Sequence, residues 1–187
     1  HFKHLVLLLI ISLLSSLCRA SEGIPTTFRF RHYTVDNGMP SNMIRSIMQD
    51  HRGFMWFGTE SGLCRFDGNR FYTFSRSQRN EGYLPDDYIS SIFEDSENRI
   101  WLGTDNGVYC YDEQEGKFVK FRCSAYKIEG LMVNNICEDK DHNIWIASRN
   151  EGVFKYNLRS KSITHFSFLI TEKEIEQIYA DSNNNIW

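Results

Sequence analysis

The side chains able to do chemistry are spread along this chain rather than gathered into one motif. The densest group is Asp139-Lys140-Asp141-His142-Asn143, with oxygen donors on alternate residues, which is how a calcium loop begins. That loop also requires Gly at its sixth place and Glu at its twelfth, where this chain has Ile144 and Asn150. His32, His51, His142 and His165 fall on expected strands or turns without a repeated partner. Cys64, Cys110, Cys123 and Cys137 contain no CxxC spacing, which argues against a zinc site or a disulfide framework. There is no GxSxG, HExxH or phosphate loop. Paired carboxylates for glycoside cleavage could meet only across distant segments. The sequence therefore nominates no catalytic residue, no metal ligand and no cofactor. A net charge of −3 without a basic stripe argues against nucleic-acid binding.

The elements that position these carboxylates are repeated. Residues 95–107 read Asp-Ser-Glu-Asn-Arg-Ile-Trp-Leu-Gly-Thr-Asp-Asn-Gly, and 50–62 and 139–152 follow the same plan, the latter one residue longer. A further copy runs from Asp181 to Trp187. All four Trp of the chain, at 56, 101, 145 and 187, lie six residues after an Asp, at Asp50, Asp95, Asp139 and Asp181. An internal repeat of this length is the mark of a repeat architecture.

Each repeat opens with a short apolar run, at 44–49, 89–94, 133–138 and 175–180. Apolar residues on both faces, such as Met48 and Ile47 in the first copy, predict a strand packed on both sides. Cys137 falls in the slot of Met48 and Phe93 and Cys64 in that of Tyr109, so both read as strand residues. The Asp then builds a turn whose fourth residue is Gly53, Asn98, His142 or Asn184, residue types that accept positive φ. The strand around the Trp continues into Gly-Thr, Gly-Thr or Ala147-Ser148, small residues that let a neighbouring sheet approach. A second turn ends in Gly62, Gly107 or Gly152, and two further strands end near Phe74, Phe121 and Phe166. Four antiparallel strands in about 44 residues is a β-propeller blade.

The expected architecture is all-β: a partial β-propeller of about three and a half blades after an N-terminal signal peptide. Residues 1–20 carry a basic start, an apolar run and Ala20, the pattern of a secretory signal. A membrane-spanning helix needs a longer run, and Leu17 is unsuited to the site before a lipidated Cys18. Residues 21–43, with Phe28-Arg-Phe-Arg-His-Tyr33, read as a closing outer strand and lead-in. Blades follow at 44–74, 89–121 and 133–166, with a partial one at 175–187. Because a closed propeller takes roughly four to eight blades, the chain is expected to be part of a larger protein.

Repeated residues build the blade, so a ligand should use positions that differ between copies. These are the loops after the Trp strands, with Glu60, Asp105 and Arg149, and the loops into each blade, with Tyr83 and Tyr126. Tyr83, Asp105 and Arg149 are the expected ligand-facing residues.

The pattern in 95–112, Asp-x-x-Asn-x-Ile-Trp-x-Gly-Thr-x-x-Gly-Val-x-x-Tyr-Asp, resembles the two-component regulator propeller repeat. Tyr33-Thr-Val-Asp-Asn-Gly-Met-Pro-Ser-Asn42, after a signal segment, resembles the opening of hybrid two-component sensor histidine kinases of gut bacteria. Ala147-Ser148 in place of Gly-Thr, and Glu129 in place of a Pro before the third blade, depart from the pattern. The resemblance implies a receptor with two seven-bladed propellers and a β-sandwich in the periplasm, then a membrane helix, kinase, receiver and DNA-binding domain. It implies an oligosaccharide ligand, control of glycan-utilisation genes, and a homodimer for the intact receptor. None of the kinase, receiver or DNA-binding motifs is in this sequence. A secreted propeller enzyme such as a polysaccharide lyase, and an adhesion or scaffold propeller, are the competing expectations.

Overall fold

A computed structural model describes residues 30–77, 83–123, 128, 130–167 and 174–187. The signal segment, Phe28, Tyr126 and Glu129 lie outside the described residues. The chain divides into two compact units, 1–32 and 33–187. In the first, residues 30–32 carry no strand. In the second, Tyr33 is likewise outside any strand and packs its ring against Phe66 and Phe71, with centroids 5.1 and 5.4 Å apart. The described part of the expected closing strand is therefore not a strand.

Twelve strands follow, in three four-stranded antiparallel meanders. The first holds β1 (Ile44–Gln49), β2 (Met55–Thr59), β3 (Gly62–Phe66) and β4 (Phe71–Phe74). The second holds β5 (Ile89–Glu94), β6 (Ile100–Thr104), β7 (Gly107–Asp112) and β8 (Lys117–Lys120). The third holds β9 (Val133–Glu138), β10 (Asn143–Ser148), β11 (Gly152–Asn157) and β12 (Ile163–His165). β1 lies against β5 and β5 against β9, so the first strands of successive sheets are neighbours, as in a partial propeller.

The cores lie between blades rather than within them. Trp56, Leu63 and Phe74 of the first blade are buried together with Ile89, Leu102, Tyr109 and Phe118 of the second. Trp101 and Val108 of the second join Val133, Ile136, Ile146 and Phe154 of the third. Trp56, Trp101 and Trp145 each pack on the aromatic residue that closes their own blade: Phe74 at 5.6 Å, Phe121 at 5.0 Å and Phe166 at 5.6 Å between centroids. The small residues after the Trp set the blade spacing. A methyl built on Gly58 would stand 2.8 Å from Ile89 Cγ2, and one on Gly103 2.6 Å from Val133 Cγ1.

Two expectations need correction. The first strand was expected to be packed on both sides, yet Ile47 is 59% exposed, whereas its counterparts Ile92 and Ile136 are 9% and 3% exposed. The difference is the neighbour: the face of β5 and of β9 is covered by the preceding blade, and none of the described residues plays that part for β1. The strands expected within 175–187 are reduced to an isolated bridge, Ala180 to Ile186, with Tyr179 and Trp187 exchanging backbone hydrogen bonds. The ladder is too short to make a strand. Its apolar residues still behave as a blade's would: Ile175, Ile178 and Ile186 pack on Ala147 and Val153.

Candidate functional site

The repeated Asp and Trp form one structural device. One carboxylate oxygen of Asp95 accepts the backbone NH of Glu97 at 3.0 Å and of Arg99 at 2.9 Å; the other accepts the Trp101 indole NH at 2.7 Å. Asp50, Asp139 and Asp181 make the same set, with indole distances of 2.8, 2.7 and 3.0 Å to Trp56, Trp145 and Trp187. The fourth residue of each turn has positive φ: 87° at Gly53, 64° at Asn98, 60° at His142 and 68° at Asn184. Sequence reading assigned the Asp to the turn and missed its bond to the indole, although the fixed spacing of six was the signal. Burial works to raise the Asp139 carboxyl, but the indole of Trp145 and the amides of Asn143 and Asp141 outweigh it and hold the group below its ordinary value. These carboxylates are committed to the fold and are not available for chemistry.

The loops expected to face a ligand do share one edge of the blades. Gly62 N donates to Asp87 O at 2.7 Å, which joins the loop closed by Gly62 to the segment entering the second blade. Arg149 N donates to Met132 O at 2.8 Å, and Met132 N to Asn150 Oδ1 at 3.1 Å, which does the same one blade on. Tyr83 is exposed and pairs through its backbone with Ser75. Asp105 and Arg149 are half-buried. Among the described residues no hydrogen bond or ion pair joins any two of Tyr83, Asp105 and Arg149, so they share an edge without forming one cluster.

A feature of the backbone at this edge was not read from the sequence. The pairing of each first strand slips by one residue: Ile44 and Ser46 face Thr59 and Gly58, Ile89 and Ser91 face Thr104 and Gly103, and Val133 and Asn135 face Ser148 and Ala147. The skipped residue is Arg45, Ser90 or Asn134. Such bulges re-aim a side chain and often flank functional sites. Arg45 reaches the loop residue Glu60, forming an ion pair. Asn134 Oδ1 accepts from Arg149 Nη2 at 3.0 Å. Ser90 turns instead to the carbonyls of Gly103, at 2.9 Å, and of Val133 in the next blade. The sequence signal was there: the second residue of the run is Arg, Ser, Asn and Glu in the four copies, between positions of steadier type.

Elsewhere the chemistry is structural. Ser96 Oγ lies 2.7 Å from Glu138 Oε1 and 2.9 Å from His142 Nδ1, and Glu138 Oε1 lies 3.0 Å from the same Nδ1. A nucleophilic triad needs the hydroxyl and the carboxylate on different ring nitrogens, so this group cannot relay a proton. With the Ser96 NH on Glu138 at 2.7 Å, it fastens the second blade to the third. His51 does the same for the first seam, its NH and Nδ1 lying 2.8 and 2.6 Å from the Glu94 carboxylate. Burial pushes the Cys64 thiol up to about 12 and, as the largest cause, the Cys110 and Cys137 thiols up to about 11, away from reactive thiolates. No cluster of metal-ligating side chains occurs among the described residues. No helix of the described residues is long and apolar enough to cross a membrane.

Comparison with known proteins agrees with this geometry. Residues 38–61, 83–106 and 128–150 match the family described as two component regulator propeller. No curated protein matches the sequence. Among solved structures, the extracellular domain of BT3049 from B. thetaiotaomicron, described as part of a hybrid two component system, superposes with a TM-score of 0.72 at 20% identity, over 83% of this chain and 23% of that one. That of BT4673 from the same organism gives 0.64 at 22% identity, over 80% and 22%. Virginiamycin B lyase from Staphylococcus aureus gives 0.57 at 19% identity, over 76% and 47%. The chain thus spans under a quarter of the two extracellular domains it resembles, and at these identities the likeness is one of fold. The matched segments each run from a blade's entering loop through the Asp turn and the Trp to the loop beyond, so the similarity to two component regulator propeller repeats falls once on each of the three blades.

Proposed function

We propose that this chain is the ligand-sensing part of a two-component signalling receptor, exported to the periplasm, and that its ligand is an oligosaccharide. The full receptor would act as a homodimer, passing ligand binding to a kinase and so to glycan-utilisation genes. What supports this reading is the edge where both loop sets interlock: it offers an aromatic ring at Tyr83, a carboxylate at Asp105 and a guanidinium at Arg149, while the carboxylates of the turns are spent on structure. Rings suit the CH faces of a sugar, and charged or amide groups suit its hydroxyls. The likeness to a lyase shows that this fold also hosts enzymes, but no catalytic arrangement is present among the described residues. The test is calorimetric titration of the full-length protein with a panel of oligosaccharides. Replacing Tyr83, Asp105 and Arg149 together with Ala is expected to remove binding; unchanged affinity would place the ligand elsewhere.

A further inference from the structure

The first and third blades pair their bulge residue with the first residue of their own Trp-strand loop, and the second blade does not. In the first blade Arg45 holds Glu60, and in the third Asn134 holds Arg149. The corresponding pair in the second blade is Ser90 and Asp105. The Ser90 hydroxyl has one proton, and it is directed at the Gly103 and Val133 carbonyls. Asp105 Oδ1 is shielded from solvent and has no hydrogen-bond partner among the described residues. The next loop residue, Asn106, is tied down: its side chain accepts from Lys120 Nζ at 3.4 Å, and its NH donates to Thr104 Oγ1 at 3.0 Å. Shielded carboxylate oxygens normally have partners, because losing water without replacement is costly.

The surroundings narrow what can supply that partner. Arg45 lies across the seam within electrostatic reach of Asp105, but its guanidinium is held first by Glu60 and stacks over the Tyr88 ring, 5.5 Å away. Its charge is thus already answered by one carboxylate, and Asp105 adds a second. Lys120 Nζ is turned to the neighbouring Asn106, so a ligand group entering here meets an acceptor whose charge no cation among the described residues answers by a direct bond. It must therefore donate hydrogen bonds and carry no negative charge of its own. Two adjacent hydroxyls on one sugar ring fit, because an ionised carboxylate accepts on both oxygens. A uronate or sulfated sugar unit does not.

Resting on the oligosaccharide reading above, we infer that the Asp105 carboxylate is the specificity-determining group of this propeller edge, and that it takes the vicinal diol of a neutral sugar unit at the seam between the first and second blades. The inference separates Asp105 from Glu60 and Arg149, which occupy the same loop position but are held by their own blades.

The experiment supplies the missing internal partner. Ser90→Asn gives the second blade the amide that the third has at Asn134, and so occupies Asp105 without removing it. The probes are neutral gluco-, xylo-, manno-, arabino- and fructo-oligosaccharides together with oligogalacturonate, titrated into full-length protein. A neutral probe is expected to bind. Ser90→Asn and Asp105→Asn should each weaken it by about tenfold or more, the loss of a charge-assisted hydrogen bond. Ser90→Ala, which cannot reach Asp105, should leave affinity within about threefold. If the triple Ala variant loses binding while Ser90→Asn and Asp105→Asn keep it, the assignment to Asp105 falls and the sensing reading stands. If oligogalacturonate alone binds, the neutral-diol assignment falls. If no saccharide binds, both fall.

Discussion

The Trp101 indole nitrogen donates to Asp95 Oδ2 at 2.7 Å, with both residues almost fully buried. The same carboxylate caps the turn that delivers the Trp to the seam, so one side chain fixes both the local backbone and the wedge between blades. Asp95→Ala would strand the indole NH and two backbone NH groups at once. An unsatisfied buried polar group costs about 1–3 kcal/mol, so the expected loss is at the top of that range or beyond. Trp101→Phe should cost less through the hydrogen bond and more through the cavity. Urea unfolding of the full-length protein checks both.

Asn98 occupies its turn at φ 64°. Asn98→Ala should destabilise by about 1 kcal/mol, because Ala tolerates that region poorly, and Asn98→Gly should be neutral or better. Equal effects of the two substitutions in urea unfolding would mean that the side chain, not the backbone, matters at this position.

Gly103 is pressed against Val133 across the seam. Gly103→Ala should cost about 1–3 kcal/mol through overpacking. Adding Val133→Ala should recover part of the loss if the clash is local, giving a non-additive double-mutant cycle. Additive losses would mean that the glycine is needed for another reason. The third blade already carries a methyl at this slot, at fully buried Ala147, and meets Ile178 there.

Asp139 is held below its ordinary value despite burial. A group whose pKa is lowered by folding contributes stability that is complete above its unfolded value, about 3.9, and is lost as pH falls through the folded value. The melting temperature is therefore expected to fall as the pH drops below about 4. Asp139→Asn should be less stable at neutral pH and lose less on acidification. Parallel curves for the two proteins between pH 2 and 7 would rule this carboxylate out as a source of acid sensitivity.

The blade was legible because its determinants are local and repeated. An Asp, a positive-φ residue, a Trp and a small residue recur at fixed offsets, and the expected first strands, Ile44–Gln49, Ile89–Glu94 and Val133–Glu138, match β1, β5 and β9 residue for residue. Burial at the first strand was less legible, because the exposure of Ile47 depends on a neighbouring blade and not on its own residues. The bulge left only an indirect trace, the variable type at Arg45, Ser90 and Asn134, because a one-residue slip shows up only in the pairing. The expected site residues were chosen because they vary. That criterion picks loops that share an edge of the blades but cannot separate Asp105, whose Oδ1 is left without a partner, from Arg149, which Asn134 restrains.

The bulge at the start of β1, β5 and β9 has an evolutionary consequence. Every other position of the first strand answers to the ladder, the seam or the turn, and a substitution there is tested against the whole blade. The extra residue has no opposite number in the ladder, so its identity is free to drift without asking the sheet to change. Arginine, serine and asparagine all sit there in one chain. A repeat protein can thus multiply one frame while writing a different letter into each copy, and new recognition can arise by single substitutions at a place where folding exerts little veto.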